Sequence, residues 1–202
     1  MKTEEFLFDS HFAARFSNRF VLCLLFVAYV GGVLLGSIAV KVFGLLDGQS
    51  TLPLLFSGVP AQDSGFWASF STILLNGIIG LLLLFLFGMT AFGCFCVPVF
   101  LCLKGATVSV GVLSLVGEGD MASFAYPALG YTPGAAAASL LLILFAVRAF
   151  AFSKGLARAG FFQSQEALDF QLFLRDFLMF LCLIVMISIL GGFLAVLCGF
   201  LF

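Results

Sequence analysis

The hydrophobic positions of this chain neither recur on one helical face nor alternate as in a half-buried strand; they run on with scarcely a polar residue between them. Five such runs stand out, 20–40, 66–87, 93–116, 134–152 and 177–202. Each is close to or above the ~20 apolar residues that carry an α-helix across a hydrocarbon layer about 30 Å thick. In lipid a spanning backbone must satisfy its own N–H and C=O groups, which a helix does within one segment. The pattern therefore predicts an all-α integral membrane protein, a five-helix transmembrane bundle forming a single domain over 1–202.

The stretches between the runs are short. Ahead of the first, HFAARFSNRF repeats Phe12, Phe16 and Phe20 at four-residue spacing beside Arg15 and Arg19, the pattern of a short amphipathic helix lying in the membrane interface. The segment 44–65 is interrupted by Gly and Pro and carries Asp47 and Asp63 with no Lys or Arg. Trp67 opens the second run as an interfacial anchor. The third run gives way to Gly117, Glu118, Gly119 and Asp120, and the turn residues YTPG lead into the fourth. Within 155–176, Phe161, Leu168 and Leu172 are spaced to share one face of an amphipathic helix.

Composition points the same way. The chain is 63% hydrophobic and 9% charged, with 28 Phe, against about 45–50% apolar and about 25% charged in soluble domains. A net charge of −1, with nine Lys and Arg scattered along the sequence, makes no basic patch and argues against a nucleic-acid partner. The charges serve orientation instead. Lys2, Arg15 and Arg19 precede the first run, Lys154, Arg158 and Arg175 fill the connection between the fourth and fifth, and the connections after the first and third runs are acidic. By the positive-inside rule the N-terminus is expected in the cytoplasm and the C-terminus outside. The acidic start and the long first run do not read as a cleaved signal.

The six cysteines, Cys23, Cys94, Cys96, Cys102, Cys182 and Cys198, all lie in apolar runs without a CxxC pair, and His11 is the one histidine. They read as small hydrophobes, and no metal or other cofactor is expected. A Ser/His/Asp set would need a histidine beside a membrane serine, and no phosphate-binding loop occurs, so the chain is expected not to be an enzyme.

The residue that breaks the pattern is Lys104, at the middle of the third run. A lysine at a helix centre costs roughly 2.5–3.5 kcal/mol on insertion scales. The twelve Leu, Phe and Val of that run contribute on the order of −4 to −7 kcal/mol, so the span inserts with little to spare. Three arrangements suit it. Lys104 snorkels to a headgroup; or it faces other helices and meets carbonyls freed by Pro98, the amide of Asn76 or a partner's carboxylate; or Gly88 to Val116 is a broken or re-entrant pair of half-helices, with Pro98 or the Lys104-Gly105 pair near the break. No Asp or Glu lies deep in any of the five runs, which weighs against an ion-coupled transporter acting alone. Arg148, near the end of the fourth run, is explained by snorkelling. Gly32 and Gly36 form a GxxxG pair, and Gly105, Ser109 and Gly111 line part of the third run. Such residues let helix backbones approach closely, whether inside one chain or between two copies in a homo-oligomer.

The glycine-containing first span RFVLCLLFVAYVGGVLLGSIAV, the central GMTAFGCFCVPVFLCLKGATVSVGVLSLVG with Pro98, Lys104 and Gly105, and the proline-led YTPGAAAASLLLILFAVRAFAFS together resemble the stage II sporulation protein M family of bacterial multi-span membrane proteins. The resemblance implies a non-enzymatic scaffold in the cell membrane. Such a scaffold anchors peptidoglycan-degrading enzymes, an amidase and a lytic transglycosylase, at the septal membrane during engulfment of the forespore. The chain departs from the family in its high Phe content and its few basic residues. The residues themselves also admit a different class of function, a subunit of a transporter or lipid-handling permease with Lys104 contacting an anionic lipid or substrate.

Overall fold

The structure, a computed structural model, describes residues 3–43, 66–116, 132–162 and 170–201. They form five helices, α1 (Thr3–Phe43), α2 (Phe66–Gly88), α3 (Gly93–Val116), α4 (Thr132–Phe162) and α5 (Phe170–Leu201). All five are long and apolar enough to cross a membrane, and the protein is an all-α multi-pass membrane bundle.

Three helices outrun the apolar runs that announced them. The N-terminal segment is not a separate interfacial helix, because α1 continues through it as one helix of 41 residues. Its first 28 residues contain neither Gly nor Pro, so nothing interrupts the i→i−4 hydrogen-bond ladder. At 1.5 Å per residue α1 is about 60 Å long, twice the hydrocarbon thickness. Likewise α4 runs on through the Ala-, Leu- and Arg-containing GLARAGFF, and α5 starts seven residues before its apolar run. The Phe161/Leu168/Leu172 stripe is therefore not one helical face: Phe161 belongs to α4, Leu172 to α5, and Leu168 lies outside the described residues. The third run is a single unbroken helix, so the broken-span arrangement is overturned. Pro98 sits in its second turn, where it removes the hydrogen bond to the Cys94 carbonyl yet leaves the helix continuous.

Successive helices alternate in direction. At one end, here the turn end, four residues join α2 to α3. Thr90 N–H and its hydroxyl both donate to the Phe87 carbonyl, at 3.1 and 2.8 Å, and Gly93 N–H donates to the Thr90 carbonyl at 3.1 Å. Buried Ser153 of α4 donates to the same Thr90 carbonyl at 2.8 Å, which ties the turn to a third helix. A side chain at Gly93 would strike the Phe87 carbonyl.

The helices fall into two groups. In the first, α1 lies on α3 almost backbone to backbone: a Cβ at Gly32 would collide with the Cys102 carbonyl, one at Gly105 with the Tyr29 carbonyl, and one at Gly36 would stand 2.5 Å from the Ala106 carbonyl oxygen. Further along the same seam Ser37 gives its proton to the Val33 carbonyl at 2.9 Å, so Ser109 is the donor in the 2.7 Å Ser37–Ser109 bond. In the second group α2, α4 and α5 share a ladder of phenylalanines. Phe173 stacks on Phe152 at 4.5 Å, on Phe85 at 5.1 Å and on Phe145 at 5.8 Å between ring centres. Gly77, Gly80 and Gly88 of α2 admit Ile184, Leu142 and the Phe173–Ala149 pair. Contact between the groups is sparser than within them.

Gly31 and Gly32 separate the effects of glycine on this seam. Gly31 faces open space, so Gly31→Ala is expected to leave stability unchanged or raise it by about 0.5–1 kcal/mol. Gly32→Ala must push α3 away and is expected to cost about 1–3 kcal/mol or more. Unfolding of both variants in detergent measures the contrast, and equal stabilities would contradict the seam.

Candidate functional site

Lys104 owes its direction to its neighbour. Gly105 is turned onto α1 by the glycine seam, and a helix advances about 100° per residue, so Lys104 points away from α1 towards the second helix group. It is 6% exposed and donates from Nζ to Oδ1 of Asn76 on α2. Lysine has donors only, so the amide oxygen is the atom that faces it. Of the three arrangements, the ammonium does not snorkel to a headgroup; it lies within the bundle on the Asn76 amide. Pro98 is on the same helix, about a turn and a half away.

Beside this pair lies a cleft of about 10 Å³, walled by Ile73 and Asn76 of α2, Lys104 and Val108 of α3, and Ala135 and Ser139 of α4. That is about the space one water occupies. Ser139 gives its proton to the Ala135 carbonyl at 2.9 Å, Thr107 to the Lys104 carbonyl at 2.9 Å, and Ser188 to the Ile184 carbonyl at 2.8 Å. Hydroxyls that bond back within their own helix are satisfied locally and leave the inter-helix work to other groups.

Of the residues singled out in the sequence, the structure brings together Asn76 with Lys104, and Gly32 and Gly36 with the stretch of α3 around Gly105. The two constellations share α3 but face opposite ways. Sequence reasoning missed Asp176. Its apolar run starts one residue later, yet α5 begins at Phe170, so Asp176 lies inside the hydrophobic span and 15% exposed. Its carboxylate stands 3.8 Å from Nε of Arg148 on α4, whose side chain stays 60% exposed. Arg148 thus meets a neighbouring helix as well as its surroundings. The signal was the helix-forming FQLFLRD ahead of the final run, which extends the helix backwards over Asp176.

No family model matches this chain, and no curated protein or solved structure is significantly similar to it.

The Lys104–Asn76 bond is expected to couple the two residues energetically. Asn76→Ala should cost about 1.5–3 kcal/mol, the range for a hydrogen bond to a charged group, and clearly less in a Lys104→Met background. Unfolding of the four members of this double-mutant cycle reads the coupling, and strictly additive losses would contradict the contact.

Proposed function

We propose that this chain is a non-enzymatic membrane scaffold of the bacterial cell membrane that anchors peptidoglycan-degrading enzymes, an amidase and a lytic transglycosylase in keeping with its resemblance to the stage II sporulation protein M family. The observation that carries the reading is how the polar side chains inside the spans are used. Lys104 holds Asn76, Ser109 holds Ser37, and Arg148 meets Asp176; each pair joins one helix to another. The cleft beside Lys104 and Asn76 has room for about one water, far below the 300–1,000 Å³ of ligand pockets. Long apolar faces remain outside on α1, with Val27, Leu34 and Ile38, and on α5, with Met186, Leu190 and Phe193, available to lipid or to partner spans.

The N-terminus and the turn end face the cytoplasm in this proposal, and the C-terminus faces out. Support comes from the clustering of Arg19, Lys154, Arg158 and Arg175 towards the turn end, with Lys41 at the other. Partners outside the cell would then meet segments 44–65 and 117–131.

Co-purification in mild detergent from the host's own membranes tests the scaffold. Wall hydrolases are expected to come through repeatedly with the tagged chain, and their consistent absence would count decisively against it. A reporter fused at residue 125 is expected on the outer side, and a cytoplasmic signal there would overturn the orientation.

A further inference from the structure

The outer faces of α4 and α5 flank a groove that is apolar for most of its length and charged at one level. On α4, Leu140, Leu144 and Arg148 recur every four residues, the spacing of one helical face, and all three are exposed. On α5, Met179 and Leu183 follow Asp176 at spacings of three and seven, and both are exposed. The two helices run in opposite directions, so both apolar stripes extend from the Arg148–Asp176 pair towards the middle of the bilayer. The pair itself lies towards the turn end. Lys154 follows Ser153, which bonds to the α2–α3 turn, and Arg148 sits about 9 Å deeper along α4 than Lys154.

We propose that this groove binds a phospholipid of the turn-end leaflet, with its phosphate on the Arg148 guanidinium and an acyl chain along the two apolar stripes. Asp176 is 15% exposed, and its carboxylate stands 3.8 Å from Nε of Arg148, so the acid faces one edge of the guanidinium from the protein side. A guanidinium carries five N–H donors in a planar fork. Its terminal nitrogens reach beyond the Nε edge on a side chain that is 60% exposed, where they can meet two oxygens of one phosphate. Charge complementarity selects that occupant. Arg148 lies within a span, and lipid tails offer its donors no acceptor. A phosphate at the boundary does, and the flexible arginine stem snorkels towards it. Arg175, exposed beside Asp176 on α5, adds a second positive charge near the single carboxylate. Asp176 is a positioning residue here, holding the inner edge of the guanidinium so that the outer edge is presented to lipid. The groove is on the outside of the bundle and stands apart from the scaffold role, so either can fail without the other.

Native mass spectrometry of the full chain, stripped of lipid in mild detergent and titrated with dioleoyl phosphatidylglycerol, tests the site. One phospholipid is expected to stay bound at collision energies that remove the rest. Dioleoylglycerol, which has the same chains and no phosphate, is expected to leave early. Arg148→Gln should weaken binding of the retained phospholipid about tenfold or more, and Lys154→Gln, about 120° round α4 from Arg148, should keep it. Equal retention of the two lipids by the wild-type chain, unchanged binding in Arg148→Gln, or an equal loss in Lys154→Gln would overturn the site. Should Arg148→Gln fail to fold because it strands the Asp176 carboxylate, the double variant Arg148→Gln/Asp176→Asn removes both charges together. It is expected to lose the phospholipid as well, and retention there would overturn the site.

Discussion

The close approach of α1 to α3 is the constraint from which the rest of this bundle follows. Lipid tails are as apolar as leucine, so burying apolar surface drives helices together far less in a membrane than in water. What holds them is close packing and the polar bonds that close packing permits. Gly32, Gly36 and Gly105 remove the side chains that would keep the two backbones apart. The Ser37–Ser109 bond then forms at 2.7 Å, a distance available only to helices already in near contact. The same contact sets the rotation of α3 about its axis, and with it the direction of Lys104.

The second group solves the packing problem with large side chains. Phe173 and its stacked neighbours fill the space between α2, α4 and α5, and glycines on α2 provide the recesses that the side chains of α4 and α5 enter. Offset stacking adds about 0.5–1.5 kcal/mol per aromatic pair beyond the area covered, which gives the high Phe content a structural role. Phenylalanine can fill volume here without leaving a polar atom to satisfy.

Between a glycine-packed pair and a phenylalanine-packed trio, the match is good only at the turn end. There the short α2–α3 turn and the Ser153 bond to Thr90 pin α3 beside α4. Farther along, a small cleft lined by Ala135, Ala138 and Ser139 lies in the seam, and Lys104 bonds across it to Asn76. A lysine whose insertion is costly is thus placed where its charge is surrounded by helices, beside a small cleft.

Uninterrupted apolar runs of about 20 residues allow one outcome for a backbone in lipid, so the number of helices and their membrane-spanning nature were legible in the sequence. So was the choice of small residues: Gly32, Gly36 and Gly105 could be recognised as places where backbones can meet. Helix ends were less legible, since the transition from apolar to mixed composition marks where the bilayer ends and not where hydrogen bonding stops; Asp176 was misplaced for that reason. Which surfaces meet was beyond the sequence altogether. Apolar residues surround every helix, so no amphipathic stripe announces an inner face, and Lys104 suited a headgroup, a partner or a neighbouring helix equally well. Only the docking of Gly105 onto α1 decided it, because rotating one face of α3 onto a partner leaves the adjacent residue a single direction.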